Sequence, residues 1–330
     1  MTSFEHIKMP QQGIAPGLER ATGWLNSKPL APSDLKGQVA AYAFLTYTCI
    51  NWLRMLPFVR AWDSKYRDAG LRVVGVHTPE FQFEHDLDKV SRALHAQNVD
   101  FVVAVDNNYD IWRSFDNHYW PALYLADGDG VIRYRHFGEG RYTQNERAIQ
   151  QLLFENGAVH FDHELAEVTG VGVEKPADWD ELRSAELYLG YGRTEHFASP
   201  GGLHRDIARS YSAPQHLPLN TWALSGDWSV RTDRVTASDG GGSVAVRFHA
   251  RDLHMVTGSS DGHSAVRVQV RVDGQPPAGS HGLDVDEDGA GVITEPRMYQ
   301  LVRQSPPITG RTAEITFLDP GAEAFVLTFG

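Results

Sequence analysis

The sequence predicts an α/β domain followed by an all-β, jelly-roll-like sandwich, because the hydrophobic periodicity changes along its 330 residues. In the first half, short apolar runs alternate with segments of helical spacing, which is typical of a parallel sheet covered by helices. In the second half, apolar residues recur at every second position between turn formers, as in an antiparallel sandwich. The predicted boundaries are an N-terminal arm at 1–24, the α/β domain at 25–157, a linker at 158–185 and the β-sandwich at 186–330.

Each element of the α/β domain follows from its local sequence. The run "VAAYAFLT" (39–46) is almost continuously apolar, as expected of a buried parallel strand. Helical spacing begins at Ile50, and Gly70 is a natural stop signal. The remaining predicted elements are strands at 71–78 and 100–106, a helix over "FEHDLDKVSRALHAQN" between them, a hairpin over 122–138 and a last helix ending at Gly157.

The sandwich prediction depends most on the segment 264–274, "SAVRVQVRVDG". Its valines fall on one face of a strand and its polar residues on the other. The valines are Val266, Val268, Val270 and Val272, and the polar residues are Arg267, Gln269 and Arg271. Similar short strands between turn signals continue to the end of the sequence.

The composition narrows the classes of function. Thirty basic and 42 acidic residues give a formal charge of −12, which disfavours nucleic acid and anionic membrane surfaces as partners. We see neither a signal peptide nor an apolar run long enough to span a membrane, and we expect a cytoplasmic protein. The single cysteine, Cys49, excludes a disulfide framework within the chain and Cys-rich metal sites.

Cys49 lies where the first predicted strand gives way to the first long helix. The N–H groups and positive potential of a helix N-terminus lower the pKa of a thiol. The hydroxyls of Thr46 and Thr48 could donate hydrogen bonds to the sulfur, and Arg54 could add positive potential. The alternative is an inert, buried cysteine, which is the usual state of a lone cysteine.

This arrangement resembles the thioredoxin-like superfamily, whose redox cysteine occupies the same junction. Pro57 corresponds to a proline that kinks the helix, and Pro121 in "YWPALYLAD" to the cis-proline beside the active cysteine. The sequence is more closely similar to the soluble C-terminal region of DipZ-type thiol–disulfide proteins, through "TYTCINWLRMLPFVRAW", "GVHTPEF", "VDNNYDIW", "NHYWPALYL" and "RHFGEG". The resemblance implies a thioredoxin-like domain followed by a carbohydrate-binding-module-like β-sandwich.

The sequence departs from that pattern at Trp52. Family members with two cysteines read Cys-Ile-Asn-Cys, and a tryptophan cannot resolve a mixed disulfide. One-thiol chemistry remains: Cys49 would reduce a peroxide or exchange disulfides with a small thiol or a thiol-bearing protein, with an external thiol as reductant and no bound cofactor. Thr46 and Cys49 supply the Thr-x-x-Cys of peroxiredoxins, although Tyr42 replaces their proline. The alternative is a non-catalytic scaffold whose sandwich binds a glycan or a protein.

Several neighbours of Cys49 are candidate site residues. His77 ends the second strand at the same sheet edge, where it would act as a base or cation, or simply hydrogen-bond to the backbone. Glu80 would be a proton shuttle or an ordinary loop charge. Trp52 and Trp120 would form apolar walls, and Pro121 would shape the substrate groove.

Two other motifs have a metal-site interpretation. The loop "DVDEDGAGVITE" matches the calcium-loop template at Asp284, Asp286, Asp288, Gly289 and Glu295. It lacks flanking helices, so the alternative is an acidic loop between strands. His160 and His163 have close to metal-ligand spacing without a third ligand, which favours a surface loop.

Aromatic residues in the second half suggest a sugar-binding face. Aromatic rings can stack on sugars, although sandwich cores also use them. The candidates are Trp179, Tyr191, Trp222 and Trp228.

Overall fold

The structure, a computed structural model, describes residues 7–158, 160–262 and 264–330. The chain forms two units, Met1–Lys175 and Pro176–Gly330. Their division falls inside the segment 158–185 that the sequence suggests as a linker. Residues 1–6 of the predicted arm and residue 159 of the predicted linker lie outside the described residues.

The first unit alternates strands and helices. Its elements are β1 (Gly23–Leu25), α1 (Pro32–Leu35), β2 (Val39–Leu45), α2 (Ile50–Tyr66), β3 (Leu71–His77), α3 (Leu87–Ala96), β4 (Val102–Val105), α4 (Asp110–Ser114), β5 (Ala122–Ala126), β6 (Ile132–Phe137) and α5 (Tyr142–Glu155). Short 3-10 helices span Gln82–His85 and Gly172–Glu174.

The strands of this unit form one mixed sheet in the order β1-β4-β3-β2-β5-β6. Strands β2, β3 and β4 are parallel, and the outer pairs are antiparallel. The register pairs Leu45 with His77 and His77 with Val105, so the three parallel strands end at the same edge. That edge carries the loop that leads to Cys49.

Two local details differ from the sequence prediction. Strand β1 lies partly in the predicted arm, where Trp24 pairs with Ala104; a three-residue edge strand is too short to give a periodic signal. The helix predicted over "FEHDLDKVSRALHAQN" is shorter in the structure, where α3 spans Leu87–Ala96. Asp86 caps α3 by accepting hydrogen bonds from the amides of Asp88 and Lys89, so the preceding turn stays a separate 3-10 helix.

The core of the first unit is built around β2, whose residues are all buried. Phe44 on β2 contacts the rings of Phe115 and Tyr124 at 5.2 and 5.5 Å between centroids. Helix α2 contributes the fully buried Trp52 and Trp62. This packing anchors both elements that flank Cys49.

The second unit is an antiparallel all-β structure. Its strands are β7 (Leu187–Tyr188), β8 (Ala208–Tyr211), β9 (Thr221–Val230), β10 (Val235–Ala237), β11 (Gly242–Phe248), β12 (Asp252–Ser259), β13 (Val266–Val272), β14 (Ala290–Ile293), β15 (Arg297–Arg303), β16 (Arg311–Phe317) and β17 (Ala322–Phe329).

Strand β9 joins the two halves of this curled sheet. Its first half pairs with β11 and its second half with β10. Gly226, at the change of partner, has a φ of 90°, a conformation that favours glycine. The valines of β13 are buried while its arginines are exposed, as the alternation predicts. This architecture is consistent with a β-sandwich.

Among the residues that the structure describes, no helix combines the length and the apolarity needed to cross a membrane.

Candidate active site around Cys49

Cys49 is the N-cap residue of α2, and its extended backbone turns the chain from the strand edge into the helix. Its carbonyl accepts the first helical hydrogen bond, from the Leu53 amide at 3.0 Å, and its own amide donates to the Thr46 carbonyl at 3.2 Å. The side chain is half-buried, and its Sγ lies 3.9 Å from the Trp120 carbonyl oxygen. Cys49 is therefore partly accessible, at the positive end of a helix.

The segment facing the sulfur contains Trp120 and Pro121, joined by a cis peptide bond. Trp120 is partly exposed, and its ring centroid lies 4.4 Å from that of Trp112. The Trp120 backbone therefore borders Cys49 on this side, whereas the interpretation of its ring as an apolar wall stays a prediction.

Trp52 does not form the wall that the sequence suggests. Its side chain is fully buried in the core of the first unit, one helical turn after Cys49. The first turn of α2 directs position 52 inward, where a large apolar side chain fills the core. Trp52 therefore packs α2 against the core and offers no surface to a substrate.

The hydroxyls of Thr46 and Thr48 do not point to the sulfur either. Both donate to the same oxygen, Oε1 of Glu84, at 2.5 and 2.7 Å. Each hydroxyl has one proton to donate, and a buried carboxylate is a stronger acceptor than a thiol. The two threonines thus fix the loop before Cys49 instead of solvating its thiolate.

Glu84 is a site residue that sequence analysis missed. It is fully buried, and its second oxygen accepts from the amides of Glu80 and Phe81 at 2.6 and 2.9 Å. Burial raises the pKa of Glu84 to about 7, against the opposing effect of the hydrogen bonds from the threonines. A buried carboxyl group that titrates near neutral pH therefore lies beneath the cysteine loop.

Arg54 is not available as a free positive charge beside the thiol. Its Nη1 lies 3.0 Å from Oε1 of Glu139, and both side chains are almost completely buried. Burial raises the pKa of Glu139, and the attraction of Arg54 opposes that rise. The arginine charge is offset by its partner, because the interior does not accept an uncompensated ion.

His77 is buried at the end of β3 and stacks on Tyr47, with ring centroids 5.8 Å apart. Neither ring nitrogen has a hydrogen-bond partner within the described part of the chain. Burial lowers the pKa of His77 to about 3, so the imidazole is neutral at physiological pH. The expected stabilising cation is therefore absent at this position. Glu80 lies half-buried in the following loop, and its interpretation as a shuttle stays a prediction.

The acidic loop of the second unit is engaged in structural contacts. Asp284 pairs with Arg297 at 2.7 Å, and Asp286 accepts from the amide of Ala290 at 2.8 Å. Within residues 7–158, 160–262 and 264–330, no group of three or more His, Cys, Asp or Glu side chains is arranged to hold a metal ion. The calcium interpretation, which also included Asp288 and Glu295, and the His160–His163 pair gain no support.

The aromatic candidates for sugar binding divide into core and surface. Trp222 and Trp228 are fully buried and donate their indole N–H groups to backbone carbonyls, at 3.0 and 2.8 Å. Tyr191 donates its hydroxyl to Asp206, and only Trp179 of the four is largely exposed. Two of the four rings therefore stabilise the sandwich instead of presenting a face to a glycan.

A central mixed sheet with a cysteine at the N-terminus of its first long helix, opposite a cis-proline, defines a thioredoxin-like domain. A family model described as "Thioredoxin like C-terminal domain" matches residues 184–330. The chain is 33% identical over 274 residues to Protein DipZ of Mycobacterium bovis, covering 80% of this chain and 37% of DipZ. It is also 25% identical over 140 residues to the thiol-disulfide oxidoreductase YkuV of Bacillus subtilis, covering 42% of this chain and 94% of YkuV.

Among solved structures, the thioredoxin-like superfamily protein SPOA0173 aligns with a TM-score of 0.40 and 25% identity, over 43% of this chain and 96% of that chain. The similarity to thioredoxin-like proteins and to DipZ that the sequence motifs indicate is thus confirmed. The chain spans little more than a third of the length of the DipZ proteins that it matches, at 37%.

Proposed function

We propose that this protein is a one-cysteine thiol–disulfide oxidoreductase that exchanges disulfides with thiol-bearing partners through Cys49. One observation carries the proposal: the only thiol of the chain is half-buried, at the N-terminus of the 17-residue helix α2. The helix end stabilises a thiolate, and partial exposure lets a partner disulfide approach.

The reaction has two steps, each an exchange of one sulfur for another. The Cys49 thiolate attacks a disulfide R–S–S–R′, forming Cys49–S–S–R and releasing R′–S⁻. An external thiolate R″–S⁻ then attacks the R sulfur, so that R–S–S–R″ leaves and the Cys49 thiolate is restored. The external thiol takes the place of a second cysteine, since Trp52 stands where two-cysteine relatives carry it.

Disulfide exchange is favoured over peroxide reduction by the way the neighbouring polar groups are bonded. Peroxide reduction needs donors that hold the peroxide oxygens and stabilise the leaving hydroxide. The candidates were the hydroxyls of Thr46 and Thr48 and the guanidinium of Arg54, but they are bonded to Glu84 and Glu139. Disulfide exchange needs only an accessible thiolate and room for the leaving sulfur.

The similar proteins support the same class of chemistry. YkuV is named a thiol-disulfide oxidoreductase, and its similarity covers 42% of this chain. The Trp120 backbone carbonyl beside the sulfur would lie against the group R of the mixed disulfide.

The test uses glutathione disulfide as a probe. The reduced protein is incubated with it at neutral pH, and the mixed disulfide at Cys49 is followed by mass spectrometry of the intact chain. We expect stoichiometric formation of one adduct, and its complete release by reduced glutathione with recovery of the free thiol. The Cys49→Ser variant is the blank, because it removes the only thiol.

Failure to form the adduct, or an adduct that reduced glutathione does not release, would contradict the proposal. A protein that forms a sulfenic acid with mild peroxide yet never a mixed disulfide would favour peroxide reduction instead.

A further inference from the structure

Glu84 is a fully buried acid bonded to the loop that carries Cys49, and the proposed exchange does not use it. Its carboxyl group accepts four hydrogen bonds, from the hydroxyls of Thr46 and Thr48 and the amides of Glu80 and Phe81. Four donors on one fully buried carboxyl group fill the lone pairs of both oxygens. Such an arrangement suits the ionised form.

The four donors come from the loops that follow two adjacent parallel strands. Thr46 and Thr48 belong to the loop between β2 and α2, and Glu80 and Phe81 to the loop after β3. Glu84 thus joins the loop that carries the cysteine to its neighbour.

The hydrogen bonds of Glu84 affect Cys49 through the residues next to it in the chain. Thr48 precedes Cys49 in the chain, and the Thr46 carbonyl accepts the Cys49 amide hydrogen at 3.2 Å. Any rearrangement of the threonine hydroxyls therefore changes the loop from which the sulfur projects. The carboxylate also places a negative charge against the residue next to the thiol.

We propose that Glu84 is a positioning residue for Cys49: through Thr46 and Thr48 it holds the cysteine loop, and its ionisation lowers the reactivity of the thiol. This inference and the proposed function both concern the reactivity of the Cys49 sulfur. The inference does not depend on disulfide exchange itself.

The electrostatic environment supports titration of Glu84 in the working range of pH. Burial raises its pKa to about 7, the hydrogen bonds of Thr46, Thr48 and the Phe81 amide lower it, and the nearby Glu80 carboxylate raises it. The ionised group disfavours a second negative charge at Cys49, because it is bonded to the hydroxyl of Thr48, the residue that precedes the thiol. Protonation of Glu84 removes that repulsion and obliges at least one threonine hydroxyl to turn away, because the new proton occupies an acceptor position.

The experiment measures the rate of alkylation of Cys49 by iodoacetamide as a function of pH in the wild type and in Glu84→Gln. Glutamine mimics the protonated acid. We expect equal rates at about pH 5.5, where wild-type Glu84 is protonated, and again at high pH, where both thiols are fully ionised. Between the two ionisations the variant should react roughly threefold to tenfold faster.

A second variant keeps the carboxyl group and removes one of its donors. Thr48→Val withdraws a hydrogen bond from the ionised form, so the Glu84 step in the rate profile should move up by roughly half to one pH unit. Thr78→Val is the matched control: this buried threonine donates to Asp106 at 3.4 Å, and in the described part of the chain it makes no hydrogen bond to Glu84. Its profile should retain the wild-type step.

A rate ratio between Glu84→Gln and wild type that does not vary with pH would overturn the inference, as would a Thr48→Val profile identical to that of Thr78→Val. If Glu84→Gln does not fold, the Thr48→Val comparison decides alone. The alkylation rate does not depend on disulfide exchange. A failure of exchange with glutathione disulfide contradicts the proposed function, whereas a pH-independent ratio contradicts only the role of Glu84.

Discussion

Arg54 and Glu139 form an ion pair with 3.0 Å between Nη1 and Oε1, and their side chains are only 2% and 6% exposed. The pair links α2, which begins at the active cysteine, to the turn that follows β6. Its role is structural. Removing one partner leaves the other as an uncompensated buried charge, whereas a well-packed apolar pair in the same place would be about as stable.

Replacing Arg54 by Met should destabilise the protein strongly while leaving the thiol almost unchanged. The substitution leaves Glu139 buried without its partner, so we expect the free energy of unfolding at pH 7 to fall by about 3–5 kcal/mol. Thiol reactivity per folded molecule should stay within about twofold, since the arginine charge is already offset. Chemical denaturation and alkylation rates measure the two effects.

The double variant Arg54→Met/Glu139→Leu is the control, and it should recover most of the lost stability. A large loss of thiol reactivity in folded Arg54→Met would instead assign the arginine a direct role at the sulfur.

His77 should make the fold sensitive to acid without acting in the reaction. Its folded pKa of about 3 lies below the unfolded value of 6.5, so the unfolded chain binds more protons between these values. Stability is then lost as the pH falls from 6.5 towards 3, by about 1.4 kcal/mol per pH unit at most.

His77→Leu should remove this slope of stability with pH and leave Cys49 alkylation at pH 7 unchanged. A variant with greatly reduced alkylation would instead assign His77 the role of a base. Replacing His95, which is exposed on α3, by Gln is the control and should leave the slope intact.

Glu84 should act on stability in the opposite direction. Its pKa rises from 4.5 to about 7 on folding, so the folded state binds more protons and stability falls as the pH rises through this range. In the wild type the slopes of Glu84 and His77 oppose each other between about pH 4.5 and 6.5. Glu84→Gln should therefore show a steeper gain of stability with rising pH than the wild type, by up to about 1.4 kcal/mol per unit in denaturation experiments. Parallel profiles would mean that Glu84 does not titrate in this range.

Trp52→Cys should restore two-cysteine exchange at a cost in stability. Positions 49 and 52 are one helical turn apart, which suits a disulfide after local adjustment. The mixed disulfide at Cys49 should then be released without external thiol, and an internal disulfide should appear in mass spectra. Removal of a fully buried tryptophan should cost about 3–5 kcal/mol in the free energy of unfolding.

Trp52→Ala also removes the buried indole but adds no second thiol, so the mixed disulfide at Cys49 should persist in this variant. Release from both variants at the same rate would show that loosening of α2, and not the new thiol, causes the release.

The features of the fold that depend on local sequence could be predicted. The buried run 39–46 and the stop at Gly70 bound β2 and α2 closely, because strand burial and helix termination are properties of neighbouring residues. The junction at Cys49 follows from these two elements. The valine alternation of β13 likewise indicates one buried face.

The bonding around the sulfur could not be predicted in the same way. Thr46 and Glu84 are 38 residues apart, and a sequence window shows Glu84 only as a polar position in the first turn of a predicted helix. Proximity of Trp52 and Arg54 to Cys49 in sequence suggested roles at the thiol, whereas helical geometry turns both into the interior. The direction of a side chain depends on the packing of the whole domain, which local pattern does not contain.

The central claim is that the folded structure activates Cys49 for disulfide exchange. The most direct measurement is the second-order rate constant of its reaction with glutathione disulfide at neutral pH, in the native protein and in the same protein unfolded in urea. Activation at the N-terminus of α2 predicts a native rate at least about tenfold above the unfolded one. A native rate equal to or below the unfolded rate would contradict the account.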